Sequence, residues 1–525
     1  MASNKITELS QDVFKTLSKL ASLNLENNLL SSLPPNLFKT NLQLTKLVLT
    51  SNELDKISAT HFQGLKKLET LSLSKNKISS IEPHSFDGLE SLKELFLNEN
   101  KLEELDPFAF RHLRSLNILD LSNNKLRALS PRIFDTLNSL HELHLSDNKL
   151  EKLEENIFDD LRNLTELHLE NNDIEHIADG TFKNLNHLNS LYFYGNRLKD
   201  INGKIFKGLN SITYFYIEKN PIKSITCDSF NEVPSVEYLH INEIPVEEFS
   251  ADCFSSLKNL RMIKIDKTKL KVVKKATFSG LKTLTSLFLT EGQLENIETG
   301  AFNDLPTLER LSFYKNRLSK IDREIFRGLE KVDTLILSNN KITAIDSTTF
   351  ELLPSLKFLY LYSNNLRELN NDVFHKLPQL THLVLSDNGI EALPSDIFQF
   401  SKSLIYFDLS RNKLKIVEQG TIPTAPKLMT LSLHANEIQA IKPGAFDNFK
   451  WLTVLNLSNN TLKYVTSEMF TGLNQLASID LQNNKISDMD PNVFDNLPAL
   501  RKVLMEGNKL NPTVLDIIKK KYNVP

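Results

Sequence analysis

An asparagine recurs every 24 residues along this 525-residue chain, and the spacing never slips. The column runs from Asn4 to Asn508 without an insertion or a deletion. We call its members ladder positions, and three of them in a row carry another residue: Ile244, Thr268 and Gly292. A fixed period over a whole chain predicts a stack of repeated coils, because one short repeat cannot bury its own apolar side chains.

A phenylalanine column keeps the same period and confirms the register. It runs from Phe14 to Phe494 and is interrupted only at Ile422. Its rings are expected to fill the interior on the side away from the strands. A stack of coils offers a long surface rather than a deep pocket, so we predict a binding function and no enzyme activity.

Each repeat carries the same apolar pattern. One copy comprises Leu116, Leu119, Leu121, Asn124, Leu126, Leu129, Phe134 and Leu137. The Leu-x-Leu core alternates with period two, which predicts a short strand with one buried face. Equivalent strands of successive coils would lie about 4.8 Å apart and form a parallel sheet of about 21 strands. The asparagine amide would satisfy backbone groups where the chain leaves the strand.

This pattern resembles the extracellular type of leucine-rich repeat, with 24 residues and a phenylalanine, found in Toll-like receptors, Slit-type proteins and small leucine-rich proteoglycans. The resemblance covers essentially the whole chain. It implies an α/β solenoid, a leucine-rich repeat horseshoe with the parallel sheet on its concave face. It also implies receptor-like protein binding, as in innate immunity and signalling, at the cell surface or outside the cell.

The two ends depart from that family, whose members usually carry cysteine-rich caps. We predict a continuous solenoid over residues 1–508, with irregular central repeats at 220–300, and a capping helix at 509–525. The helix would bury one face comprising Val514, Leu515, Ile518 and Tyr522. The N-terminal end has no comparable cover, so a further segment or a partner is expected there.

The amino-acid composition limits the classes of partner that the chain is expected to bind. The formal net charge is -3, with 62 basic and 65 acidic residues interspersed, which argues against nucleic acid or an anionic membrane as partner. No apolar run is long enough to span a bilayer, and no signal peptide is evident. The missing signal and caps leave a second hypothesis open, an intracellular structural or assembly scaffold in the cytoplasm.

The three substituted ladder positions mark the centre of the chain as irregular. Without the amide, inward backbone groups need other partners, so we expect a local change in curvature or twist between residues 220 and 300. In Toll-like receptors such a region often lies near the ligand, which the resemblance carries over to this chain. The alternative is relaxed selection on a dispensable coil.

Side chains six, four and two positions before each ladder position should point out of the sheet, and we call these the outer, middle and inner columns of the strand face. Aromatic and basic residues gather there near the substituted ladder positions. The predicted ligand-binding residues are Tyr192, Tyr194, Tyr214, Tyr216, Tyr238, His240, Met262, Lys264, Phe288, Arg310 and Tyr314. A second patch comprises Phe358, Tyr360, Tyr362 and Tyr406.

Such residues dominate interface energetics, which favours a protein ligand or a second copy of the chain as a homodimer. Two alternatives stay open. Tyrosine also suits a strand surface without any ligand, and an aromatic stripe would also stack sugar rings or lipid headgroups.

Other site chemistry is weaker. Cys227 and Cys253 fall in neighbouring repeats, where they either form a disulfide or stay as inert thiols. The acceptor pattern for glycans occurs at Asn163, Asn456 and Asn459. Metal-ligand types meet at His141, His144, His168, Asp120, Glu142 and Glu166, but a solvated polar face explains them as well, so we predict no metal and no cofactor.

Overall fold

The computed structural model describes residues 1–522. The chain divides into two compact units, Met1–Ile263 and Lys264–Pro525. Both units are stacks of 24-residue coils with one three-residue strand in most coils, as the period predicts. Strands pair in parallel with the residue 24 positions later, for example Ser22 with Lys46. The solenoid of parallel strands expected from the sequence is confirmed.

The first unit contains ten strands of this kind. They are Ser22–Asn24, Lys46–Val48, Thr70–Ser72, Glu94–Phe96, Ile118–Asp120, Glu142–His144, Glu166–His168, Ser190–Tyr192, Tyr214–Tyr216 and Tyr238–Asn242. A further strand, Met262–Asp266, includes the last residues of this unit. Two further pairs of two-residue strands lie outside this row of strands. They join Lys56–Ile57 to Ser80–Ile81 and Lys152–Leu153 to His176–Ile177.

The second unit also contains ten. They are Ser286–Thr290, Arg310–Ser312, Thr334–Ile336, Phe358–Tyr360, His382–Val384, Tyr406–Asp408, Thr430–Ser432, Val454–Asn456, Ser478–Asp480 and Lys502–Leu504. Short pairs join Val272–Val273 to Asn296–Ile297, Ile416–Val417 to Ala440–Ile441, and Tyr464–Val465 to Asp488–Met489. One-turn 3-10 helices occur at Gly203–Phe206 in the first unit and at Arg323–Phe326 and Ser467–Phe470 in the second.

The ladder asparagines bond to backbone groups rather than to each other in the described coils. Asn148, for example, donates from Nδ2 to the carbonyls of Leu121 at 3.0 Å and Leu145 at 3.2 Å. Its Oδ1 accepts from the N–H of Leu126 at 3.0 Å. Each amide therefore joins its own coil to the preceding one, and at 1% exposure Asn148 is sealed from water.

The phenylalanine column is buried and stacked. Phe158 has no exposed surface, and its ring lies 6.0 Å from those of Phe134 and Phe182. Burying rings and leucines on both sides of each coil supplies the core that no single repeat has.

The strands lengthen where the ladder asparagine is missing. Three strands have five residues each: Tyr238–Asn242, Met262–Asp266 and Ser286–Thr290. The other strands of the described residues have two or three. Extended backbone satisfies its polar groups through the sheet, which reduces the need for a side-chain amide. The change in curvature expected between residues 220 and 300 stays a prediction.

The turn that follows each strand is the same with or without asparagine. The residue before the ladder position has a left-handed backbone in every coil, with φ of 53° at Asp147, 54° at Glu243 and 51° at Glu291. This turn, rather than the amide, is the feature that all coils share.

An α-helix, Pro512–Lys521, follows the last strand and lies within the predicted capping range. Asn511 caps its N-terminus by accepting from the N–H of Thr513 at 2.9 Å. Ile518 is fully buried, and the Tyr522 ring meets that of Phe494 edge-on at 5.9 Å. The helix thus packs on the final coil. None of the helices among residues 1–522 is long and apolar enough to cross a membrane.

Candidate functional site

The strand face of the first unit carries a continuous row of stacked rings in its middle column. We call it the ring stack, and it comprises His144, His168, Tyr192, Tyr216 and His240. Centroids of successive rings lie 4.3, 4.3, 5.2 and 4.7 Å apart. The first three pairs are within 14° of parallel.

The stack follows directly from the period. Residues 24 apart pair across adjacent strands, as His144 does with His168 and Tyr192 with Tyr216. Strands in a parallel sheet lie about 4.8 Å apart, which is close to the stacking distance of aromatic rings. Each ring therefore supports its neighbours and loses conformational freedom before any ligand arrives.

A second pair of rings lies beside the stack in the outer column. Tyr214 and Tyr238 stack at 4.9 Å, and Tyr214 is 39% exposed. Tyr194, in the inner column, and Met262, in the outer column, are half-buried. The first unit thus brings six of its seven predicted residues into one aromatic surface, with Met262 on the strand face two coils after Tyr214.

Carboxylates border the ring stack. His168 Nδ1 lies 3.2 Å from Glu170 Oε1, and its Nε2 lies 3.7 Å from Glu166 Oε2. Burial lowers the pKa of His168, but the hydrogen bond and charge of Glu170, helped by Glu166, outweigh it, so the pKa ends above its ordinary value. His168 therefore becomes a cation more readily than a free histidine.

The tyrosines of the stack stay neutral. Burial is the main reason that the pKa values of Tyr192 and Tyr216 are raised, and nearby ionisable groups add to it. Their hydroxyl groups are therefore available to donate and accept hydrogen bonds at physiological pH.

The four predicted residues of the second unit are more dispersed. Lys264 forms an ion pair with Asp266 at 2.8 Å, Phe288 is half-buried and Arg310 is exposed. Tyr314 approaches Tyr362 at 6.4 Å between ring centroids, which links it to the second patch. The residues predicted to form a single surface over 190–315 thus fall into two groups, one in each compact unit.

The second patch contains a residue that the sequence reading missed. His382 lies between Phe358 at 4.8 Å and Tyr406 at 5.7 Å, so three rings stack in the outer column. Tyr360 and Tyr362 are half-buried beside them. The 24-residue spacing of Phe358, His382 and Tyr406 was the signal that would have identified this row.

His144 and His168, two of the residues considered as metal ligands, place their rings face to face at 4.3 Å. No group of three or more metal-ligand side chains with suitable geometry occurs within residues 1–522.

The cysteines and the glycan acceptors occupy different environments. Cys227 is exposed and Cys253 is buried, and no bond joins their sulfur atoms in this structure. Burial raises the pKa of the Cys253 thiol strongly, so that thiol is unreactive. Asn163 and Asn459 are exposed, whereas Asn456 is half-buried with Oδ1 accepting from Ser458.

Comparison with known proteins identifies the family. A leucine rich repeat model matches residues 1–41, 42–102, 91–150, 162–222, 234–291, 282–342, 330–390, 378–422, 426–486 and 465–510. The chain therefore belongs to the leucine-rich repeat family. No curated protein sequence matches it.

Several solved structures are similar. The complex of TLR13 with ssRNA13 shares 25% identity, with a TM-score of 0.56 over 98% of this chain and 85% of that chain. Drosophila Toll bound to Spatzle shares 19% identity, with a TM-score of 0.69 over 87% of this chain and 61% of that chain. The plant peptide hormone receptor RGFR1 with RGF2 shares 20% identity, with a TM-score of 0.53 over 100% and 91%.

Proposed function

We propose that this chain is a non-enzymatic, receptor-like recognition scaffold that binds a protein ligand on its strand face. The observation that carries the proposal is the ring stack of the first unit. Five rings held in one row offer large, rigid contact area at low entropic cost, which is the property of interface hot spots. A surface that only needed good strand formers would not require rings in register on five adjacent strands.

The similar structures support binding as the activity of this fold. Toll is bound to Spatzle and RGFR1 to RGF2, so two of them hold a protein or peptide ligand. TLR13 is bound to single-stranded RNA, so the exclusion of nucleic acid drawn from net charge has no support among them. The class of ligand must therefore come from the chemistry of the strand face itself.

Two substitutions test the site. We expect Tyr216→Ala and Tyr238→Ala each to weaken binding of the native partner by about 1 to 3 kcal/mol. The partner is captured from the source organism with the unaltered chain and then titrated calorimetrically against each variant. Tyr464→Ala is the matched control, because Tyr464 is 47% exposed but lies outside the strand face. If Tyr216→Ala and Tyr238→Ala bind the partner as tightly as the Tyr464→Ala control, the ring stack is not part of the binding site.

We also propose an extracellular or cell-surface location, supported by the receptors among the similar structures. Asn163 is exposed, with its amide nitrogen donating to the carbonyl of Asn138 at 2.7 Å, so a glycan has access. Mass spectrometry of the native protein should find glycan at Asn163. An unmodified Asn163 and Asn459 would favour the intracellular scaffold instead.

A further inference from the structure

One stretch of the strand face in the first unit is acidic. Between Glu94 and Asn242 its three columns hold six carboxylates: Glu94, Asp120, Glu142, Glu166, Glu170 and Glu218. The same columns contain no lysine and no arginine over that range. The chain as a whole is nearly neutral, so this face departs from the average composition. We call it the acidic face.

Four of the six carboxylates, Glu142, Glu166, Glu170 and Glu218, lie against histidines of the ring stack. Glu142 Oε2 is 3.5 Å from His144 Nε2, and Glu218 Oε2 is 4.0 Å from His240 Nδ1. The same columns hold three histidines, His144, His168 and His240. The six carboxylates outnumber them, so the acidic face stays net negative whichever of the histidines carries a proton.

Glu170 has a buried carboxylate oxygen without a partner. The residue is 9% exposed, and Oε1 is within hydrogen-bond distance of His168. Oε2 is shielded from solvent and has no hydrogen-bond partner among the described residues. An unsatisfied buried carboxylate oxygen is costly, and a cationic donor arriving on this face would satisfy it after a small rotation of the side chain.

The ring stack suits the long side chains of basic residues. Stacking covers the faces of the inner rings, so their edges are the parts that a ligand can contact. Lysine and arginine can pack their apolar stems on such edges while their charged ends reach carboxylates at the side. An anionic ligand would find no lysine or arginine in these columns.

We infer that the acidic face binds a lysine- and arginine-rich protein segment, through carboxylates for the charged groups and the ring stack for the aliphatic stems. This inference rests on the proposed function and names its partner class. The five strands of the ring stack extend over about 20 Å, which about six or seven extended residues would span.

A defined probe tests the charge preference. A fluorescent oligolysine of about eight residues, long enough to cover the ring stack, is titrated with the full chain and followed by anisotropy. Oligoglutamate and single-stranded oligouridylate of similar length are the comparison probes. We expect oligolysine alone to bind, with affinity that falls as salt is added. Tighter binding of either anionic probe would overturn the inference.

A pair of isosteric substitutions locates the site. Glu142→Gln with Glu166→Gln should weaken oligolysine binding about tenfold, because two favourable charge interactions are lost. The matched control is Asp408→Asn with Asp480→Asn, which removes the same charge from the middle column of the second unit and should change affinity less than about twofold. Equal effects of the two pairs would place the peptide elsewhere. The salt dependence of the unaltered chain tests the charge preference even if a variant folds poorly.

The native partner separates this inference from the proposed function. Suppose that Tyr216→Ala weakens partner binding but the Glu142 and Glu166 pair does not. The strand face would then remain the binding site and the basic partner class would be wrong. If Tyr216→Ala has no effect, the proposed function fails at this site, whatever oligolysine does.

Discussion

The buried columns and the strand face lie only a few residues apart in every coil, yet they vary in opposite ways. The ladder asparagine and the phenylalanine repeat almost without change. The asparagine also makes the same backbone contacts in coil after coil, as Asn52, Asn148 and Asn412 show. The strand face instead changes from coil to coil and concentrates rings and carboxylates in one stretch of the first unit. In this chain, what repeats holds the coils together and what varies is available for binding.

The largest loss of stability is expected when a residue of the phenylalanine column is replaced, and it would sharpen the contrast between buried columns and strand face. Phe158→Ala should lower the free energy of unfolding by about 3 to 5 kcal/mol, since it leaves a cavity between Phe134 and Phe182. Urea unfolding followed by circular dichroism measures the loss. Phe108→Ala is the control: Phe108 is 42% exposed, and its change should stay within about 1 kcal/mol. A similar loss in both variants would mean that the buried column has no special role.

A smaller loss is expected at a ladder position. Asn148→Ala should cost about 3 kcal/mol, because the N–H of Leu126 and the carbonyls of Leu121 and Leu145 lose a buried partner. Hydrogen exchange at the Leu126 amide should accelerate with it.

The exposed Asn117 supplies the control for that substitution. Asn117→Ala should change the free energy of unfolding by less than about 0.5 kcal/mol. Should Asn148→Ala also fall in that range, the amide would not be the bond between coils that the contacts indicate. Both variants, once folded, should bind oligolysine with the same affinity as the unaltered chain.

The smallest expected effect is one of pH on the strand face. His168 gains its positive charge as the pH falls through a pKa that is above the ordinary value of 6.5. That charge opposes a basic ligand, so oligolysine affinity should decrease by about twofold to threefold on acidification and recover as the pH rises. Anisotropy titrations on both sides of that pKa measure it.

The surroundings of His168 define the control. Glu166 and Glu170 face it from its own coil, the ring of His144 stacks on it from the preceding strand, and Tyr192 stacks on it from the following one. His168→Gln should flatten the pH dependence. His382→Gln, in the second unit, should leave it unchanged, and an unaltered profile in His168→Gln would assign the effect to other groups.

The coils themselves were predictable because their cause is periodic. Any residue 24 positions from another was expected beside it in the sheet, and the pairing of Ser22 with Lys46 shows this from the first strand onward. The direction of the strand-face side chains followed from alternation along each strand. The predicted residues on that face are at least partly exposed, as alternation requires.

The arrangement of the site was only partly predictable. His144 and His168 were considered as metal ligands because residue type suggested it, whereas the stacking of His168 between His144 and Tyr192 depends on ring orientation. The longer strands at the substituted ladder positions were also missed. They depend on how the backbone satisfies its hydrogen bonds without the asparagine amide, and the presence of Ile244 or Gly292 does not predict this.

The left-handed residue before each ladder position has a consequence for engineering. Ordinary side chains such as those of Asp147, Glu243 and Glu291 hold a conformation that glycine adopts at no steric cost, and Gly195 already does so at φ 71°. Each such site stores about 1 kcal/mol of conformational strain, less where aspartate or asparagine stands. Glycine at such a site would relieve that strain and keep the turn, but it would also raise the entropy of the unfolded chain by a comparable free energy. The residue at this position can therefore be exchanged at little net cost, which leaves it open for tuning a frame that carries grafted strand-face sequences.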